Sequence, residues 1–152
     1  MPMPWTYRHA SKEWAAFLSD ARDVMRLGSD NMAYTAVQAV FLVFRRRVTP
    51  RQGIALAGVL PSVPRAIFVH GWDIEAPPVP FADRASLTAE AQALRPNHNL
   101  TPANCIEATA RAVRRSVDQR DLDRVLATMP EPARAFWHVA TDDPSELSQR
   151  II

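Results

Sequence analysis

Apolar residues fall along this chain in blocks of helical spacing, each opened by a capping residue and closed by glycine or proline. The densest block is MAYTAVQAVFLVF, residues 32–44, where only Thr35 and Gln38 are polar. A helix of that composition is apolar on nearly every side, so the other elements are expected to pack onto it. Ahead of it, Trp14, Phe17, Leu18, Ala21, Val24 and Met25 make one stripe of a helix from about 12 to 27, with Ser11 as cap and Gly28 as stop. Ser29, Asp30 and Asn31 offer caps for the 32–44 helix, which should end near Arg47. Thr49-Pro50-Arg51-Gln52 reads as a capping box with proline in the first turn, opening a short helix through Ile54, Leu56, Ala57, Val59 and Leu60. Gly53 and Gly58 either weaken this helix or let a neighbour come close. Pro61 stops it, and a turn of helix from Ser62 carries Arg65, Ile67 and Phe68.

The second half repeats this order. DIEAPPVP, residues 73–80, is a stiff proline-rich linker. A helix capped by Asp83 or Ser86 then places Leu87, Ala91 and Leu94 on one side. Thr101-Pro102 should open the next, with Ile106, Ala110, Val113 and Val117 as its stripe. Asp118 caps another through Leu122, Val125, Leu126 and Met129, and Pro130 and Pro132 separate it from Ala133–Trp137. An ungapped offset of 69 residues carries Pro61 onto Pro130, Arg45-Arg46 onto Arg114-Arg115, Arg65 onto Arg134 and the cap Thr49 onto Asp118. VFLVF taken alone could be a buried strand, but its counterpart TARAV lies in a helical stripe, which decides for helix. The expected architecture is therefore an all-α helical bundle of two tandem, internally similar lobes, three to four helices each, around a shared core. The bounds are an arm at 1–10, repeats at 11–72 and 83–138, the linker at 73–82, and a polar, loosely ordered tail at 139–152. The arm either lies across the body or reaches a second subunit.

Leu60-Pro61 with Arg65 to Phe68, and Met129-Pro130 with Arg134 to Trp137, set an LP stop followed by an R-x-[IF]-[FW] ending twice over. In this the chain resembles a bacterial family of uncharacterised proteins, domain-of-unknown-function family 2267, from about Trp14 to Trp137. The resemblance implies a helical fold, often in tandem repeat, and a bacterial, soluble setting. It implies no activity and no catalytic residues.

Composition narrows the function classes. The 32–44 run is too short to cross a bilayer, which takes about 20 apolar residues. MPMPWTYRHASKEW lacks the pattern of a signal peptide, and Cys105, the one cysteine, permits no internal disulfide; a cytoplasmic setting is expected. Lys12 is the sole lysine beside seventeen arginines, yet net charge is only +2, which gives nonspecific nucleic-acid binding little support.

Arg45, Arg46, Arg47, Arg114 and Arg115 are the best-defined polar cluster, read either as helix-end charge or as a surface for an anion or acidic partner. Arg65 and Arg134, just past the proline stops, are read as structural, satisfying free helix carbonyls. His9, His70, His98 and His138 share no metal spacing, Cys105 has no second ligand pair, and four glycines make no phosphate loop, so neither metal nor cofactor is expected. Asp20, Asp23, Asp121, Asp123, Asp142 and Asp143 are scattered, with nothing to mark paired acid–base work. No catalytic residue can be named. A noncatalytic module that binds another protein or itself leads, because the duplicated positions are packing, capping and arginine residues. A ligand binder or enzyme with its pocket between the lobes comes second, and nucleic-acid binding a distant third.

Overall fold

Side-chain caps open four of the nine α-helices among the described residues. The computed structural model describes residues 2–94 and 101–151, all-helical with no strand among them. Trp5–Arg8 (α1) is a single turn that runs almost directly into Ala10–Met25 (α2). Ser11 therefore lies inside α2 rather than capping it: the chain already arrives helical, and the Glu13 N–H takes the His9 carbonyl at 3.0 Å. At the other end Arg26, not Gly28, takes the left-handed position, with φ 56° and ψ 43°. The Leu27 N–H reaches back to Arg22 O at 3.1 Å, closing a Schellman turn two residues earlier than the glycine suggests.

Ser29 Oγ accepts from Met32 N at 3.2 Å and starts Asp30–Arg45 (α3). The capping box at Thr49 and Gln52 forms in both directions and opens Pro50–Val59 (α4), after which Ser62–Val69 (α5) follows Pro61. Of the two predicted caps for Arg84–Ala93 (α6), Asp83 is the one used, at 2.7 Å from Ser86 N. Cys105–Ser116 (α7) begins later than Thr101-Pro102 suggests. Asn104 stands at its N-terminus but spends its amide on the Val24 carbonyl of α2, 3.0 Å away. Asp118 caps Gln119–Leu126 (α8), and Glu131–Trp137 (α9) follows Pro130. The tail is not loose: Pro144–Leu147 forms a 3₁₀ turn and buries Leu147. Arg95 and His98 lie outside the described residues.

α3 is the hub, packed by α2, α5, α6 and α7. Phe41, Val43 and Phe44 are fully covered, and the cover comes from the chain itself. Phe44 meets Phe136 at 5.0 Å and Trp137 at 5.2 Å in α9, Phe68 at 6.4 Å in α5, and Phe81 of the linker at 6.1 Å. Each such ring contributes about 1.5–3 kcal/mol by burial alone. α7 looks half-polar in sequence yet buries eight of its twelve residues, against nine of sixteen in α3. Its buried face is mostly small, with Cys105, Ala108, Thr109 and Ala112, so α2 can lie close along it. The two halves of the chain do not keep to themselves. α2 packs on α7, α3 on α6 and α4 on α8, and one apolar core runs through both halves.

Candidate functional site

Short helices leave a large share of their carbonyls without intrahelical partners, and this chain supplies guanidinium groups to meet them. Arg45 is buried, and its Nη1 donates to Phe68 O and His70 O, both at 2.9 Å, at the C-terminal end of α5. Its guanidinium also lies over the Trp72 ring at 5.6 Å, and burial lowers its pKa from the ordinary arginine value. Arg114 repeats the bond: buried, with Nε donating to Trp137 O of α9 at 2.8 Å. Arg65 donates to Ala57 O at 3.0 Å and Leu60 O at 2.9 Å at the end of α4, and Arg134 to Met129 O at 2.5 Å after α8. Arg45 and Arg114 therefore face the interior and belong with Arg65 and Arg134 as closers of helix ends. The single surface drawn from Arg45, Arg46, Arg47, Arg114 and Arg115 does not assemble, because two of its five members are consumed by buried carbonyls. Arg46 and Arg47 each take one oxygen of Glu90, both at 2.5 Å, tying α3 to α6. Arg47 also donates to Pro80 O at 3.2 Å, holding the linker down.

Arg115 lies elsewhere and keeps different company. Asp20, on α2, is 5% exposed and receives Arg115 Nη1 at 2.8 Å and Arg150 Nε at 2.9 Å, with Arg150 Nη2 on the same carboxylate. The Arg150 N–H also bonds Arg115 O at 2.7 Å, and Gln119 Nε2 holds Leu147 O at 2.6 Å. The C-terminal segment is thus strapped across α2 and α7, and Asp20 raises the pKa of Arg150, mainly through the side-chain hydrogen bond.

Under this strap lies a cavity of about 110 Å³. Trp5, Ala16 and Phe17 form its apolar wall, while Glu13, Asp20, Arg115 and Arg150 line the polar side. Two of the residues that line it also hold a side-chain atom that is buried and lacks a hydrogen-bond partner, Glu13 Oε1 and Arg115 Nε. One accepts and the other donates. Formal charge in the cavity balances, with two carboxylates against two guanidinium groups.

In the sequence Arg115 stands among helix-end charges and Asp20 among several scattered carboxylates, and neither Glu13 nor Arg150 stands out. One signal was available. Asp20 follows Phe17 by three positions and precedes Val24 by four, so it sits on the apolar face of α2, where an ionised side chain needs a partner. Cys105 is buried and its thiol is pushed up to about 11, chiefly by desolvation, which removes the thiolate a nucleophile needs. No group of three or more potential metal ligands occurs among the described residues, and no helix among them is long and apolar enough to cross a membrane.

Comparison with known proteins places the chain's central span. The family described as "Uncharacterized conserved protein (DUF2267)" matches residues 14–136, which include Asp20 and Arg115 but not Trp5, Glu13 or Arg150. No curated protein matches the chain.

Proposed function

The chain belongs to the DUF2267 family, and from that premise we propose that it is a noncatalytic binding module whose ligand is a small molecule held in the cavity between α2 and α7. The observation that carries this reading is the cavity's lining, where an apolar wall of Trp5, Ala16 and Phe17 faces the charged side chains of Glu13, Asp20, Arg115 and Arg150. Binding rather than catalysis is favoured because both oxygens of Asp20 are occupied by guanidinium groups, which leaves that carboxylate no base function.

Thermal unfolding of the native protein against a panel of small polar metabolites tests the proposal. A true ligand at a hundredfold its Kd stabilises by about 2.7 kcal/mol, or a Tm rise of about 5–10 °C for a chain of this size. Ala16→Leu, which fills the cavity from its apolar wall, should abolish that rise while the variant retains its helical circular dichroism. A panel that shifts nothing, or a shift that survives Ala16→Leu, refutes the site.

Self-association through the N-terminal arm is a second reading, favoured by the exposure of Met3, Trp5 and Tyr7. Sedimentation velocity of native protein against Trp5→Ser tests it, and a native protein that sediments as a monomer at every concentration rejects it.

A further inference from the structure

Resting on the small-molecule reading above, we propose that the end of the C-terminal segment is a lid on the cavity between α2 and α7. Arg150 is its latch, Asp20 the catch and Ser148 the hinge. Gln149 and Arg150 belong to the cavity's lining, so the segment that carries them closes a space that Glu13, Ala16 and Phe17 line from α2. What holds the segment changes at Leu147. Up to that residue the tail is anchored: Leu147 is buried, and its carbonyl accepts from Gln119 Nε2 at 2.6 Å. Residues 148–151 are all exposed, and among them Arg150 alone bonds to the helices.

Lifting this end forfeits one ion pair, Arg150 on Asp20, and one backbone hydrogen bond, Arg150 N–H to Arg115 O at 2.7 Å. It uncovers little apolar surface, since Leu147 stays in place. Segments held so thinly open at a small fraction of the cost of global unfolding. Asp20 is built for both states. It is 5% exposed, and a buried carboxylate stripped of every partner is costly. Arg115 Nη1, at 2.8 Å, comes from α7 and stays on the carboxylate when Arg150 leaves. One guanidinium is thus fixed and the other removable. The Arg150 side chain is 36% exposed, so salt screens the removable pair. Asp20 and Arg115 lie within the family-matched span and Arg150 beyond it, so the lid is an addition from the flanking segment.

Accessibility of a thiol inside the cavity tests the lid on the full chain before any ligand is known. Ser116 lines the cavity, and Ser116→Cys changes a single side-chain atom there, while the native Cys105 is buried. N-ethylmaleimide, small and uncharged, is the probe, with circular dichroism to show that each variant is folded. Adding Arg150→Gln should speed labelling about fivefold, the factor that a partly exposed ion pair of about 1 kcal/mol supplies. Removing a nearby positive charge makes a thiolate scarcer, so electrostatics alone would slow the reaction instead. Raising NaCl from about 0.05 M to about 1 M should speed labelling with Arg150 in place and leave Arg150→Gln unmoved. Labelling equally fast with and without Arg150, or indifferent to salt in both, overturns the lid and leaves the thermal-shift panel to decide the ligand. Latch-dependent labelling in a protein that no metabolite stabilises keeps the lid and overturns the small-molecule reading.

Discussion

Alanine at position 53 should destabilise the protein, although alanine in a helix ordinarily stabilises. A Cβ on Gly53 would lie 2.2 Å from Trp72 Cη2 and 2.5 Å from Cζ3, well inside contact distance. The indole must move. It packs edge-on against Phe68 with centroids 6.1 Å apart and carries the Arg45 guanidinium over its face at 5.6 Å. Losing the ring pair costs about 0.5–1.5 kcal/mol and the cation–π contact about 0.5–1 kcal/mol, beside the burial forfeited as the ring swings out. Against this, removing glycine from a helix interior gains about 1 kcal/mol. The net expectation is a loss of about 1 kcal/mol, a fall in Tm of about 2–4 °C for a chain of this length. Gly58, in the same helix, has nothing within 4 Å of its would-be Cβ, so Gly58→Ala should stabilise by about 0.5–1 kcal/mol. Urea unfolding followed by circular dichroism measures both. The sharper test is a double-mutant cycle: with Trp72→Ala in place the obstruction is gone, and Gly53→Ala should change sign and stabilise. If Gly53→Ala stabilises the native protein as much as Gly58→Ala does, the indole does not occupy that space and the reasoning fails.

Arg26→Gly should raise stability by about 0.5–1 kcal/mol, because Arg26 is exposed and holds a left-handed conformation that costs a side-chain-bearing residue about 1–2 kcal/mol; urea midpoints that fall instead would contradict this. Asp20→Asn should cost about 1–2 kcal/mol, a figure reduced for the partial exposure of Arg115 and Arg150, and should make the tail a target for limited proteolysis; a tail equally resistant in the variant would count against the strap. Cys105 should resist a thiol reagent at neutral pH until the protein unfolds. Because its folded pKa is raised, stability should decline as pH climbs from the free-thiol value of 9.0 toward about 11, and Cys105→Ala should flatten that slope.

Local signals in the sequence translated well wherever one residue did one local job. Ser29, Thr49, Asp83 and Asp118 all cap the helices they precede, since a short oxygen-bearing side chain can reach an amide two or three residues on without help from the rest of the fold. The reading failed where tertiary geometry overrode the local choice. The Thr101-Pro102 start is passed over, α7 beginning at Cys105 where Asn104 bonds across to α2, and Arg26 takes the turn in place of Gly28. The arginine cluster shows the same limit. Spacing puts Arg45, Arg46 and Arg47 at one helix end, but rotation about the helix axis sends the first inward and the other two toward α6. The candidate site was the least legible. It joins Glu13, Asp20, Arg115 and Arg150 from both ends of the chain, and only the misplaced polarity of Asp20 hinted that something distant would arrive.

Residues 32–44 pose the question of what covers so apolar a helix, and the arginines hold part of the answer. Phe68 and Trp137, from α5 and α9, lie against α3, and each stands in the last turn of a short helix whose final carbonyls are carried into the interior with it. An apolar cover cannot satisfy those carbonyls. A lysine ammonium is strongly hydrated, whereas a guanidinium is planar, less hydrated and rich in donors, so it can follow them inward. Arg45 does this for Phe68, and Arg114 does it for Trp137, at positions that the same 69-residue offset superposes. Arginine in place of lysine at these two positions is therefore explained by the core rather than by any external anion. With those two guanidinium groups spent on buried carbonyls, and Arg46 and Arg47 held by Glu90, Arg115 is the member of the original cluster that lines the cavity, and that is why the binding proposal rests on it.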